Sequence, residues 1–197
     1  ELWSYFHKIN IENGGEWFET RLFTSGPRTN PWLQECSNRI IQQGDLVAFD
    51  TDMVGPYGYC ADISRTFVEG GKLSDEQKRL HSLAVEHIKY NEQLIKAGTN
   101  FREFAEKAWE MPQSCYDNHY PCQVHGIGMC DEWPFIVFPN EDYSNGDFSG
   151  IFEENMTITI ESYIGEVGGR EGVKLEDQYL VTTNGLKLLT NHPINQT

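Results

Sequence analysis

The sequence predicts a single α+β domain, with strands first, then two helices, then strands again. Three observations carry this. Residues 17–24 and 156–161 alternate apolar with polar side chains, the period of a strand with one buried face. A capped apolar pattern of helical period runs from Ser74 to Gly98. Asn184-Gly185 directly follows an apolar run and signals a tight hairpin.

Taken in order, Leu2, Trp3, Tyr5, Phe6 and Ile9 recur at helical spacing, so residues 1–13 read as a helix tail stopped by Asn13-Gly14-Gly15. That helix starts at Glu1 without a cap, which gives the expectation of a chain cut mid-helix from something longer. Trp17 to Phe23 reads as one strand, and residues 25–31, rich in Gly, Pro and Asn, as a loop. Leu46-Val47-Ala48-Phe49 reads as a strand running into the core and continuing to Asp52. It pairs with Thr66 to Glu69 as a hairpin, with Gly55, Pro56 and Gly58 bending the chain between them. Ser74 caps the long helix and Gln77, three residues on, completes a capping box. Leu80, Leu83, Ala84, Ile88, Leu94 and Ile95 form its core face. A second helix runs from Phe101 to Glu110, with Phe104, Ala105, Ala108 and Trp109 inward, and Pro112 stops it. Residues 156–161 and 175–182 are the last predicted strands. No repeat, linker or low-complexity tract divides residues 1–197, which read as one unit.

A formal net charge of -15, with a pI near 4.7, argues against nucleic acid and anionic membranes as partners. It suits cations, either metal ions or a cationic small molecule. The five cysteines, at 36, 60, 115, 122 and 130, are odd in number and show no CxxC spacing. They read as reduced thiols, which favours the cytoplasm. No apolar run approaches a membrane span, and no signal peptide is recognisable.

Asp50, Asp52 and Asp62 fall within thirteen residues at the end of a predicted buried strand. Carboxylates are seldom buried unless paired or bound to metal, so the segment suggests a hard-cation site across a hairpin. His125 lies in a glycine-rich His-Gly-Ile-Gly run, Glu161 ends an apolar strand, and Glu176 precedes another. Asp177 faces the opposite side of that strand. Five carboxylates and one imidazole suit iron, manganese, cobalt or zinc in a two-metal arrangement. Arg65 reads as a structural anchor of the hairpin through a carboxylate. His7, His81, His87, His119 and His192 have no acidic neighbours at ligand spacing and read as surface residues, with His119 the exception to watch because it adjoins Tyr120.

The segments Gly58-Tyr59-Cys60-Ala61-Asp62-Ile63-Ser64-Arg65-Thr66, His125-Gly126-Ile127-Gly128, Glu161 and Gly172-Val173-Lys174-Leu175-Glu176-Asp177 resemble the pita-bread metallopeptidase superfamily of methionine aminopeptidase, aminopeptidase P, prolidase and creatinase. The resemblance implies the pita-bread fold, a curved antiparallel sheet with helices on its outer face and a dinuclear metal site in the concave face. It also implies that residues 1–197 are the C-terminal catalytic domain, preceded in the whole protein by a creatinase-like N-terminal domain, and that the protein is a homodimer.

Two departures mark a branch of that superfamily. Its peptidases carry a histidine before the metal hairpin, where this chain has Gly26-Pro27-Arg28-Thr29-Asn30-Pro31-Trp32-Leu33. They carry another shortly after the His-Gly motif, where this chain has Asp131. With the additional Asp50, these features resemble the dimethylsulfoniopropionate lyases, a non-hydrolytic branch. That resemblance implies iron as the metal, Asp50, Asp52, Asp62, His125, Glu161 and Glu176 as its ligands, and Asp131 as general base of a β-elimination. The alternative for Asp131 is a loop cap or an outer partner of His125. Tyr120, Met129 and Trp133 are expected to form an apolar wall around Asp131. Tyr120, Trp32 and Trp133 are candidates to hold the cationic sulfonium against their ring faces. A rival reading, Xaa-Pro peptide hydrolysis through a metal-bridging water, lacks those two histidines. A second, a metal-free binding scaffold, has no need of so many acids.

Overall fold

The structure is a computed structural model and describes residues 1–139, 141 and 148–194. Helix α1 (Leu2–Glu12) ends where Asn13 bonds back to the Ile9 and Asn10 carbonyls and Gly14 turns the chain with φ +86. The strand expected over Trp17 to Phe23 is broken in two. β1 (Trp17–Phe18) pairs with β4 (Met53–Val54), which pairs in turn with β5 (Cys60–Ala61). β2 (Phe23–Ser25) pairs with β3 (Leu46–Phe49), itself paired to β6 (Arg65–Val68). The partner dictates the break. The chain leaves extended geometry between β3 and β4, where Asp52 takes φ +33. Glu19 and Leu22 follow it, bonding Asp52 and Asp50 through the backbone.

Helix α2 (Asp75–Glu92) starts at the predicted capping box: the Gln77 amide donates to Ser74 Oγ, and the Ser74 amide to Gln77 Oε1. It stops short of Gly98. Helix α3 (Phe101–Lys107) likewise ends before Glu110, because Asn91 of α2 accepts the Trp109 amide at 2.9 Å and draws the chain aside.

The remaining strands are β7 (Cys122–Gly126), β8 (Phe135–Val137), β9 (Thr157–Ile164), β10 (Val173–Thr182) and β11 (Gly185–Leu188). They form an antiparallel sheet in the order β11-β10-β9-β7-β8. The β10–β11 hairpin turns at Asn184-Gly185 as predicted, with Gly185 at φ +130. α2 packs on β9 and β10, and the main core lies between them, with Leu80, Ile88, Phe104, Phe152, Ile158, Ile160, Leu175 and Tyr179 buried.

Two histidines expected on the surface are instead buried. His81 is 8% exposed and His87 1%. His87 Nδ1 lies 2.9 Å from Ser162 Oγ, and its ring stacks on Trp109. Burial lowers its pKa to about 3, against the opposing hydrogen bond of Gln123, so it is neutral. The apolar face of α2 is wide enough to enclose polar residues, which spacing alone does not separate from solvated ones. All five cysteines are free thiols. Among the described residues no helix is long and apolar enough to cross a membrane.

Candidate metal centre

Strand register assembles half of the site. Glu161 on β9 lies directly opposite Glu176 on β10, and His125 on β7 opposite Thr159. Because side chains two apart share a face, His125, Glu161 and Glu176 converge. Asp177 turns to the other face, where Arg65 Nη2 donates to its Oδ1 at 2.6 Å. Arg65 also donates to the carbonyls of Glu176, His192 and Pro193, so it is the anchor expected, tying β6 to β10 and the tail.

The other half comes from the ends of β3 and β5. Asp50 and Asp62 are buried and form one ligand-spaced group with Glu176, while His125, Glu161 and Glu176 form a second. His125 Nε2 faces three carboxylate oxygens: Glu176 Oε1 at 3.1 Å, Glu161 Oε1 at 3.7 Å and Asp62 Oδ2 at 3.8 Å. Its Nδ1 lies 3.1 Å from the Gly126 carbonyl, which orients the ring and turns Nε2 toward the acids. Asp52 is buried beside them but belongs to neither group; its carboxylate accepts from the Thr20 hydroxyl.

The electrostatics fit a cation-binding site. Burial and the neighbouring acids raise Asp52 to about 8, and both causes also raise Asp62 well above the carboxylate range. Burial likewise raises Glu161 to about 7, outweighing the attraction of Lys174. His125 is opposed by burial but raised to about 10 by the Glu176 hydrogen bond and the charge of Glu161. The cluster holds more negative charge than its protein partners neutralise. Glu161 Oε1, buried and aimed at His125 Nε2, has no hydrogen-bond partner among the described residues. An oxygen-rich donor set with one imidazole and an orphaned carboxylate oxygen fits divalent metal ions.

Asp131 lies at the opposite edge of the imidazole, its Oδ1 3.9 Å from His125 Nδ1, in a ligand-spaced group with Asp62 and His125. Its pKa is raised to about 6, by burial above all, against the pull of His125. The wall expected around it differs. Met129 and Trp133 are 71% and 55% exposed, because the 128–134 loop carries them outward. That loop then returns so closely that a Cβ on Gly126 would meet the Trp133 carbonyl oxygen at 2.0 Å, so only glycine fits there. Trp32 is buried and Tyr120 half-buried; their ring centroids lie 5.8 and 5.6 Å from Lys174 Nζ.

Lys174 is the residue that the sequence reading missed. It is completely buried among the site carboxylates. The signal was present, since a lysine two residues before Glu176 on a strand must share its face.

The sequence pattern of metallopeptidase family M24 matches residues 1–183. The chain is 40% identical over 197 residues to dimethylsulfoniopropionate lyase DddP of Roseovarius nubinhibens, covering 99% of this chain and 44% of that protein. It is 32% identical over 178 residues to the Xaa-Pro dipeptidase of Pyrococcus furiosus, covering 88% of this chain and 47% of the relative. The chain thus spans about half the length of these relatives. Among solved structures, it superposes on prolidase from Pyrococcus furiosus with a TM-score of 0.80 at 29% identity, over 96% of this chain and 55% of the other. Xaa-Pro dipeptidase from Bacillus anthracis gives a TM-score of 0.80 at 25% identity, over 96% and 52%. The fold is the pita-bread fold, with an acidic, histidine-containing cluster of the kind that binds divalent metal, and the chain belongs to metallopeptidase family M24.

Proposed function

We propose that this chain carries the active site of a metal-dependent carbon–sulfur lyase that cleaves dimethylsulfoniopropionate to dimethyl sulfide and acrylate. The observation that carries the reading is Asp131, a largely buried carboxyl with a raised pKa of about 6, beside His125 where the resemblance places a histidine in peptidases. The higher identity to two DddP lyases, 40% and 39%, than to the dipeptidase, 32%, supports it.

We assign Asp50, Asp52, Asp62, His125, Glu161 and Glu176 as the residues that would hold two metal ions, which would supply Lewis acidity toward the substrate carboxylate. Asp131 takes the proton from the carbon next to that carboxylate. The C–H electrons form the new double bond, the carbon–sulfur bond breaks, and its electron pair leaves on sulfur as neutral dimethyl sulfide. Nothing has to protonate the leaving group, so a site without the peptidase histidines suffices. The sulfonium is drawn by the acidic field and by the ring faces of Trp32 and Tyr120, at ~0.5–2 kcal/mol for each ring, while Trp133, turned outward with its loop, takes no part. Iron as the metal and a homodimer as the assembly belong to the same proposal; elemental analysis and light scattering on the purified protein test them.

Asp131→Ala is the experiment. Turnover falls by about 100-fold or more, the scale of general-base catalysis, while metal content stays at the wild-type level. Loss of metal in this variant would make Asp131 a ligand, and unchanged turnover would remove it from the chemistry.

A further inference from the structure

We infer that Lys174 is a resident third cation of the metal centre, fixed by the fold to neutralise the additional carboxylate Asp50, and that it tunes metal affinity by holding the same acids. The inference rests on the metal-centre reading of those acids.

Lys174 Nζ lies 2.7 Å from Glu161 Oε2, 3.1 Å from Asp50 Oδ2, 3.2 Å from Glu176 Oε2 and 2.9 Å from Ser64 Oγ. A buried ammonium is costly unless its surroundings satisfy it, and here four oxygens do so. Its backbone is clamped to β6: Thr66 Oγ1 donates to the Lys174 carbonyl at 2.8 Å and accepts the Lys174 amide at 3.0 Å. The ammonium is therefore placed by the sheet and not by a flexible stem alone.

The contacts divide the carboxylates. Asp50 is held at both oxygens, Oδ1 by the Ser64 hydroxyl at 2.6 Å and Oδ2 by Lys174, and each oxygen keeps a lone pair for a metal. Glu161 and Glu176 each give Oε2 to Lys174 and turn Oε1 toward His125 Nε2. Charge counting gives the same assignment. Ionised, as metal ligands must be, Asp50, Asp52, Asp62, Glu161 and Glu176 bring five negative charges. Two divalent ions balance four of them and Lys174 balances the fifth, which leaves the carboxylate of Asp131, outside this ligand set, uncompensated. Without Asp50 the pair of metals would suffice; with it, a fixed monovalent cation completes the balance.

A fixed positive charge on ligand oxygens repels a second cation. The test is a titration of metal-stripped protein with Mn²⁺ alone, read by calorimetry and by the thermal midpoint in Mn²⁺ and in chelator. Lys174→Met is expected to bind Mn²⁺ about tenfold more tightly and to melt lower in chelator, so its metal-induced rise in midpoint exceeds that of the wild type. Unchanged or weaker binding, with an equal or smaller rise, would make Lys174 a packing or ligand-orienting residue and overturn the inference. Should Lys174→Met not fold, Asp50→Asn with Lys174→Met removes the pair together. A chelator midpoint near that of the wild type supports charge balance, and failure of the double variant to fold overturns it. Wild-type protein that takes up no Mn²⁺ is a separate result, which removes the metal centre itself.

Discussion

Asp131 carries the chemistry in this account, and its environment sets a pH dependence. A carboxyl must be ionised to accept a proton, and burial raises this one to about 6. kcat/KM is therefore present above about pH 6 and falls as pH drops through that value, with a slope of one proton. A profile flat down to pH 4 would show that a different base operates. Single residues were unevenly legible in the sequence. Asp50 and Asp62 after short apolar strands, and Glu161 and Glu176 within apolar strand patterns, showed themselves because acids in such places have few reasons to be buried, and His125 because it opens a glycine-rich run. Lys174 did not, since a lysine reads as solvated until its strand face is counted against Glu176. Trp133 looked like cover for Asp131, but sequence adjacency says nothing of which way a loop turns its side chains.

Elements position these residues through a few buried polar ties. Arg65 on β6 holds Asp177 on β10 at 2.6 Å, one residue from Glu176. Arg65→Met leaves that buried carboxylate without its ion-pair partner, at a cost of about 3–5 kcal/mol in denaturant unfolding. A loss under 1 kcal/mol would show the pair to be incidental. His87 ties α2 to Ser162 on β9, beside Glu161. Folded, it stays neutral because its pKa is lowered to about 3; unfolded, it takes up a proton below its ordinary 6.5. The unfolded state thus binds more protons between those values, so stability falls as pH drops from about 6.5 toward 3, by ~1.4 kcal/mol per unit from this group. His87→Gln flattens the acid limb by about one proton, and an unchanged limb would show that His87 is protonated in the fold. The helices and the Asn184-Gly185 hairpin were legible because caps and turns are local. The split between β1 and β2 was not, because its cause is the left-handed backbone of Asp52, more than thirty residues away in sequence.

At the scale of the whole molecule, the chain has a formal charge of -15, and its site collects six acids, one histidine and one lysine. The pita-bread frame is shared with dipeptidases, so the frame alone does not separate hydrolysis from elimination. In the proposed reading the separation lies in residues the frame carries: Asp131, Asp50 and a 26–33 loop without histidine. The most direct test supplies the metal-loaded protein with dimethylsulfoniopropionate and, in parallel, with an Xaa-Pro dipeptide, measuring headspace dimethyl sulfide and free proline. The lyase reading requires dimethyl sulfide with an equal yield of acrylate and no proline release. Proline release without dimethyl sulfide would contradict it.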